Sequence, residues 1–243
     1  MLYELKPLGD SALVVVWGDA ISLDTHQRVR QFTAYLEEQP FVGLIECVPA
    51  FTTVTVYYDC WTVMSQYAGL VEPEDRQFPY AIVAALLNHM LQELEAVPVS
   101  PARVVEIPVC YGDDLGPDLV DVAAHNGLDA EEVIAIHTSA DYLVYMLGFA
   151  PGFAYLGGMS GAIAAPRRQT PRMAIPAGTV GIAGDQTGVY PIETPGGWQL
   201  IGRTPQPLFL PGLNPPTMLQ AGDIVRFCRI SREQYEQWEE KPQ

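Results

Sequence analysis

Residues 175–205 read IPAGTVGIAGDQTGVYPIETPGGWQLIGRTP and contain seven glycines between short runs rich in β-branched residues. The same texture extends over residues 142–232, which hold 14 of the 21 glycines and 11 of the 21 prolines of the chain. Short strands that are frequently separated by glycine and proline are typical of a β-barrel or a β-sandwich with long loops of defined conformation. The pattern predicts strands at residues 142–147, 179–183, 189–194, 198–201 and 224–230.

Several polar and aromatic side chains stand among these glycines. Polar groups between closely spaced turns tend to face a cleft, although some of them only satisfy loop backbone. No G-x-G-x-x-G opens a helix in this stretch, so it does not have the pattern of a nucleotide-binding motif. The stretch therefore predicts a ligand site without specifying a reaction, and its candidate binding residues are Gln186, Tyr190, Thr194, Trp198 and Arg203.

The run GFAPGFAYLGG at residues 148–158 combines glycines with aromatic side chains. Glycine allows the backbone to approach a ligand closely, and aromatic rings are common in pocket walls. We therefore expect Phe149, Gly152, Phe153 and Tyr155 to wall a pocket. A structural turn whose aromatic rings fill the core is the alternative.

The run PRRQTPR at residues 166–172 holds three arginines in a loop that its prolines stiffen. Planar guanidinium groups bind phosphate and carboxylate with two parallel hydrogen bonds. Arg167, Arg168 and Arg172 are therefore candidate anion-binding residues. The alternative is that they pair with surface carboxylates of this acidic chain.

The distribution of charge supports a small anionic ligand. The 243 residues carry 13 Lys+Arg against 29 Asp+Glu, a formal net charge of −16. Residues 142–232 hold seven arginines against three carboxylates, so this segment is at +4 and the remainder at −20. The overall acidity argues against nucleic acid and against anionic membrane surfaces as partners, because both demand a basic footprint.

The two lysines, Lys6 and Lys241, stand near the chain ends. A Walker-A phosphate loop, a Schiff-base lysine and a biotin-carrying lysine are therefore not expected between them. The four cysteines are widely spaced and the four histidines show no ligand spacing, so no metal site is predicted. No apolar run has the length of a membrane span and the start does not resemble a signal peptide, so we expect a cytoplasmic protein.

The first hundred residues have a different pattern. A strand pair around residues 5–17, a helix capped by Ser22, a hairpin at residues 44–58 and a helix at residues 78–96 predict an α+β sandwich. A strand near 103–109, helices at 118–125 and 130–138 and a helical or frayed tail after Ser231 complete the prediction. We expect two domains, residues 1–100 and residues 101–243.

Candidates for acid–base chemistry rest on residue type alone. His137 precedes Thr138, Ser139 and Asp141, which are the residue types of a nucleophilic triad, but neighbours in sequence need not share its geometry. Glu193 lies in the glycine-rich stretch. His137 and Glu193 are therefore the two candidate catalytic residues.

The three runs, GFAPGFAYLGG, PRRQTPR and residues 175–205, occur in an order that resembles the signature of the allophanate-hydrolase-subunit-1-like (KipI-like) family. The resemblance implies an N-terminal α+β domain and a mainly-β, cyclophilin-like barrel that carries the three runs. It also implies the activity of the B subunit of a prokaryotic 5-oxoprolinase, which opens the ring of 5-oxoproline at the expense of ATP. That activity would require partners resembling the A and C subunits of the same enzyme, the latter related to allophanate hydrolase subunit 2.

Under this resemblance Arg167, Arg168, Arg172 and Arg203 become candidates for the anionic group of the substrate, and Gln186, Tyr190 and Trp198 for its orientation. Two other functions within the family stay open. One is inhibition of histidine-kinase autophosphorylation, which would use a surface. The other is a carboxyltransferase role related to urea carboxylase, which would need a biotin-bearing partner because this chain has no internal lysine to carry biotin.

Overall fold

The computed structural model describes residues 3–20, 22–94 and 102–239, and of Leu23 and Glu239 the backbone alone. Contacts between Cα atoms divide the chain into two units, Met1–Pro101 and Ala102–Gln243, which we call the N-terminal and the C-terminal unit. Among the described helices, none combines the length and the apolar character that crossing a membrane requires.

The N-terminal unit packs helices against one antiparallel sheet of order β1-β2-β4-β3. Its strands are β1 (Glu4–Pro7), β2 (Ala12–Val16), β3 (Leu44–Pro49) and β4 (Thr53–Tyr58), and its helices are α1 (Leu23–Glu38), α2 (Cys60–Tyr67) and α3 (Pro79–Leu94). The core lies between these layers, where Phe32 and Leu36 of α1 meet Val54 of β4 and Leu87 of α3 with no exposed surface. The alternating and helical patterns of the sequence predict this arrangement because they place one apolar face on each element.

The two caps of this unit show which sequence signals determine the helix starts. Ser22 caps α1 as expected, since its side chain accepts a hydrogen bond from the Thr25 amide. Asp59 caps α2 in the same way through the amide of Thr62. Helix α2 is not among the sequence predictions, although an aspartate before a short apolar run is the signal that could have found it.

The C-terminal unit is built around a seven-stranded sheet of order β10-β9-β12-β5-β13-β6-β7. Its strands are β5 (Val104–Tyr111), β6 (Tyr142–Leu147), β7 (Ala154–Gly157), β8 (Arg172–Ile175), β9 (Thr179–Ala183), β10 (Gln186–Val189), β11 (Thr194–Gly196), β12 (Gln199–Arg203) and β13 (Ile224–Arg229). Its helices are α4 (Leu119–Asn126), α5 (Ala130–Ser139) and α6 (Arg232–Glu239). The edge strands β7 and β10 lie side by side, so the sheet nearly closes into a barrel.

Pairing within the barrel is antiparallel except between β5 and β13, which run parallel from Val104 beside Ile224 to Val109 beside Arg229. Strands β8 and β11 form a separate two-stranded ribbon. Of the two architectures that the glycine-rich texture allows, the structure thus shows a barrel. The chain is confirmed as a mixed helix–strand protein whose second half is mainly β.

One strand prediction is wrong. Residues 189–194 are not a strand, because β10 ends at Val189 and β11 begins only at Thr194. Pro191 lies between them, and a proline has no N–H to donate to a strand ladder. The strands β7 and β8 are also absent from the sequence predictions, since each has only four residues.

Helix α5 carries His137, and its start is fixed by a capping box. The Asp129 side chain accepts from the Glu132 amide, and the Glu132 side chain accepts from the Asp129 amide, both at 2.8 Å. The pair satisfies two backbone donors that a helix start otherwise leaves without a partner.

Removal of this cap should destabilise the chain measurably. We expect Asp129→Ala to lower the free energy of unfolding by about 1 kcal/mol, because the Glu132 amide loses its acceptor. Asp129→Ser keeps a capping oxygen and should restore most of the loss. Urea unfolding followed by circular dichroism measures both variants, and equal losses for Ala and Ser would contradict the role of the cap.

Candidate functional site

The C-terminal unit contains a pocket of about 470 Å³ that combines aromatic walls with two arginines. We call it the aromatic pocket, and it is lined by Phe149, Phe153, Tyr155, Arg167, Arg168, Pro171, Gln186, Tyr190, Pro195, Gly196, Gly197 and Trp198. Its size is within the range of small-molecule sites. All three sequence runs therefore contribute to one cavity.

The wall of the pocket is organised around Phe153. This ring is buried and meets Phe149, Tyr155, Tyr190 and Trp198 edge to face, with centroid distances between 5.3 and 6.0 Å. Edge-to-face contacts of this length are the preferred geometry of aromatic pairs. The rings therefore hold each other in place and present a rigid apolar surface.

Two backbone features bring these rings together. Phe149 has a φ of 70°, a left-handed conformation that is costly for a bulky residue. It leaves the ring of Phe149 69% exposed at the pocket wall. At Gly196 a Cβ atom would lie 2.4 Å from the Tyr190 hydroxyl, so this phenol occupies the space that any larger residue would take.

The arginine loop, residues 166–172, is tied to the barrel by a buried carboxylate. Asp118 is 3% exposed, and its Oδ1 accepts hydrogen bonds from Arg168 Nη1 at 3.2 Å and from Arg172 Nη2 at 2.7 Å. Its Oδ2 accepts from the amide of Leu200 at 2.7 Å. Sequence reasoning predicts residue 118 only as a helix start and misses this role.

The three arginines of the loop therefore differ in their surroundings. Arg168 lines the aromatic pocket and Arg172 does not, but both are bound to Asp118. Arg167 is exposed and lines the pocket, and it forms no ion pair with any residue that the structure describes. Of these three candidates, Arg167 is thus the one without a carboxylate partner among the described residues.

Most other arginines of the basic segment also pair with carboxylates. Arg226 bonds Asp141 at 2.6 and 2.9 Å. Arg229 pairs with Glu131, and Arg232 pairs with Asp114 and Glu236. Such exposed pairs contribute little to stability. Of the seven arginines of the segment, Arg167 and Arg203 have no carboxylate partner among the described residues, and only Arg167 of these two lines the pocket.

Four further candidates lie outside the pocket lining. Arg203 donates from Nε to the carbonyl of Ala177 at 2.9 Å, so it holds a turn. Gly152 has a φ of 80°, which favours glycine, and a Cβ atom there would meet Phe209 at 3.0 Å. Thr194 and Glu193 precede the lining residue Pro195 without lining the pocket themselves, and Glu193 is exposed.

His137 is completely buried and also lies outside the pocket lining. Its Nδ1 is 2.8 Å from the Tyr111 hydroxyl and its Nε2 is 2.9 Å from Thr187 Oγ1. Thr187 donates its single hydroxyl proton to the carbonyl of Gly181. We therefore assign the proton of the ring to Nε2, which donates to Thr187, while Nδ1 accepts from Tyr111.

Burial lowers the pKa of His137 to about 3, so the ring is neutral at physiological pH. Its two hydrogen bonds join α5 to strands β5 and β10 inside the barrel, and its ring packs 4.5 Å from that of Phe227. A neutral ring with both nitrogens occupied cannot exchange a proton with a ligand in the pocket. In this position His137 links α5 to β5 and β10, whereas its acid–base role stays a prediction.

The groups that can act on a ligand are therefore donors. The titratable lining residues are Arg167, Arg168, Tyr155 and Tyr190, with no carboxylate and no histidine among the lining residues described. Burial raises the pKa of Tyr190, against the opposing effects of a hydrogen bond from the Trp198 backbone and of nearby Arg167 and Arg172. Since this phenol stays protonated, the pocket offers positive charge and hydrogen-bond donors to an anion.

The placement of His137 predicts a specific dependence of stability on pH. Its folded pKa of about 3 lies below the value of 6.5 for an unperturbed side chain, so the unfolded chain binds the proton first. The free energy of unfolding should therefore fall as pH drops below about 6.5, by up to about 1.4 kcal/mol per pH unit from this residue.

His137→Gln should remove this contribution and flatten the pH dependence, as urea unfolding at several pH values can measure. Burial also lowers the pKa of His26, to about 4. The pH dependence of stability that comes from His26 should therefore persist in the His137→Gln variant. An identical slope in wild type and His137→Gln would contradict a buried neutral His137.

Gly196 and Gly197, which both line the aromatic pocket, allow a matched comparison of two substitutions. Gly196→Ala should destabilise the chain by about 1–3 kcal/mol, because the new methyl group collides with the Tyr190 hydroxyl. Gly197→Ala should cost less, since its Cβ atom would stand 3.7 Å from its nearest neighbour. Thermal unfolding of the two variants compares them, and equal losses would show that the phenol does not occupy the observed place.

Comparison with known proteins places this geometry in a family. Residues 3–219 match the family model "carboxyltransferase domain, subdomain C and D". The chain is 54% identical to a protein of Bacillus subtilis named as the B subunit of 5-oxoprolinase, over 98% of both chains. It is 40% identical to the protein of the same name from Escherichia coli O157:H7, over 90% of this chain and 93% of that one.

Solved structures share the fold. One is TTHA0988, with a TM-score of 0.72 and 34% identity over 90% of this chain and 40% of that one. Another is a conserved protein, PH0987, from Pyrococcus horikoshii, with a TM-score of 0.54 and 41% identity over 96% of this chain and all of that one. From the matched residues 3–219 and these relatives, the chain belongs to the carboxyltransferase domain, subdomain C and D family.

Proposed function

We propose that the chain is the B subunit of an ATP-dependent 5-oxoprolinase, which opens the lactam ring of 5-oxoproline to give glutamate. The observation that carries the proposal is the 54% identity to the Bacillus subtilis protein that bears this name, which extends over 98% of each chain. The similarity therefore covers both units and includes the aromatic pocket.

The chemistry of the aromatic pocket fits such a substrate. 5-Oxoproline is a flat five-membered lactam that carries one carboxylate. The rings of Phe153 and Trp198 provide an apolar surface for the lactam, and Arg167 provides a positive charge for the carboxylate. Gln186 and Tyr190 line the same cavity and can form hydrogen bonds with the lactam amide.

The same pocket suggests why partner chains are needed. An amide carbonyl is a weak electrophile, and its activation by phosphoryl transfer from ATP is a chemically sensible route to ring opening. The lining residues supply binding and charge stabilisation but no carboxylate or imidazole that could act as a general base. We therefore propose that ATP is used at the level of the complex and that the chain is inactive alone.

The finer features expected from the sequence belong to the same proposal. We propose that the two units are separate domains, that the nearly closed barrel is cyclophilin-like and that the complex works in the cytoplasm. Its partners would be chains that resemble the A and C subunits of 5-oxoprolinase, the latter related to allophanate hydrolase subunit 2. The naming of the relatives as B subunits supports an assembly of this kind.

A carboxyltransferase role is the second candidate. The chain is 27% identical to a putative urea carboxylase of Emericella nidulans, over 97% of this chain but 21% of that protein. The identity is half of that to the 5-oxoprolinase relative and covers a small part of a longer chain. We therefore rank this role below the first, and sensitivity of any activity to avidin would distinguish it.

Reconstitution tests the proposal. The chain is co-expressed with partners that resemble the A and C subunits, and 5-oxoproline-dependent ATP hydrolysis and glutamate release are measured with each of the three chains omitted in turn. We expect activity with all three chains, loss of activity without this chain and no activity from this chain alone. Full activity in its absence, or none with all three, would contradict the proposed function.

A further inference from the structure

The arginine loop holds one cation that is not committed to a protein carboxylate. Arg168 Nη1 and Arg172 Nη2 share Asp118 Oδ1, so one buried carboxylate binds two guanidinium groups. Two of their other nitrogens, Arg168 Nε and Arg172 Nη1, are shielded from solvent. A solute that enters the pocket therefore cannot reach these two atoms without rearranging the loop.

Arg167 differs from Arg168 and Arg172 in two respects: it is exposed, and it has no carboxylate partner among the described residues. Like Arg168, it lines the aromatic pocket. An exposed guanidinium retains its full set of five donors for a ligand. Pairing with a carboxylate is also the interaction that its planar geometry favours most.

The backbone on both sides of Arg167 is fixed. The carbonyl of Pro166 accepts from Gln199 Nε2 at 2.9 Å, and the amide of Arg168 donates to the carbonyl of Gly197 at 2.8 Å. One residue earlier, Ala165 and Gly184 exchange both backbone hydrogen bonds. The side chain of Arg167 thus extends from a backbone that is already ordered, which lowers the entropy lost on binding.

We propose that Arg167 is the specificity-determining residue of the pocket and binds the carboxylate of a carboxylate-bearing lactam. Arg168 and Arg172 already share one protein carboxylate, so we assign the ligand carboxylate to Arg167, the exposed guanidinium of the loop. Asp118 is a positioning residue, since it ties the arginine loop to the amide of Leu200 at the start of β12. The identity of the lactam rests on the proposed function, whereas the role of the Arg167 charge does not.

Binding measurements test directly whether the charge of Arg167 binds the ligand carboxylate. The ligands are 5-oxoproline and 2-pyrrolidinone, which is the same lactam without the carboxylate, and calorimetry measures their affinities for the chain alone and for the co-expressed complex. We expect Arg167→Gln to weaken binding of 5-oxoproline about tenfold or more and to leave binding of 2-pyrrolidinone unchanged. Arg167→Lys should restore part of the loss, because it retains the charge without the planar fork.

The matched control is Arg226→Gln, which removes an exposed arginine paired with Asp141 outside the pocket. We expect no change in either affinity for this variant. If Arg167→Gln weakened the binding of 5-oxoproline and of 2-pyrrolidinone equally, the proposal would be overturned. An unchanged affinity for 5-oxoproline would also overturn it, as would a wild-type chain and complex that fail to prefer the carboxylate-bearing lactam.

A double-mutant cycle in the reconstituted complex tests Asp118. We expect Asp118→Asn to raise the KM for 5-oxoproline and to have no further effect on it when Arg167 is already Gln, because Asp118 acts through the loop that carries Arg167. A purely structural role would give independent effects, so additive KM changes would overturn the positioning role. Failure of wild-type turnover would contradict the proposed function alone, since the calorimetric comparison still decides the role of Arg167.

Discussion

A single buried carboxylate organises the basic part of this molecule. Asp118 bonds two arginines through one oxygen and the amide of Leu200 through the other, while 3% of its surface is exposed. A buried charge is costly unless it is fully paired, and removal of one partner of such a group is strongly destabilising. The start of α4, the arginine loop and strand β12 are therefore held in one arrangement.

The pocket is a consequence of that arrangement. With the loop fixed against β12, Trp198 and Gly197 line the same cavity as Arg167 and Arg168. Phe153 completes the wall by contact with Trp198, at a centroid distance of 5.8 Å. A charged loop thus lies beside a rigid aromatic surface, a combination that suits a small planar anion and not a polymer.

Local patterns in the sequence predict much of the C-terminal unit. The strands Tyr142–Leu147 and Thr179–Ala183 coincide with strands predicted from the sequence, and eight of the predicted site residues line one pocket. Local patterns cannot predict the role of Asp118, whose partners are 50, 54 and 82 residues away in the chain. Its position before a helix predicts a cap, yet its side chain makes no capping bond because it reaches the arginines and β12 instead.

His137 shows what residue type alone leaves out. Histidine beside threonine, serine and aspartate has the composition of a catalytic site, but residue type gives no depth within the fold. The structure places this ring in the barrel interior, where Tyr111 and Thr187 occupy both nitrogens.

A structure of the three-chain complex with 5-oxoproline, determined without ATP, tests the central claim most directly. The account predicts a carboxylate within hydrogen-bond distance of the Arg167 guanidinium, a lactam ring against Phe153 and Trp198, and Asp118 still bound to Arg168 and Arg172. A carboxylate bound to Arg168 with Asp118 displaced, or a ligand outside the aromatic pocket, would contradict it.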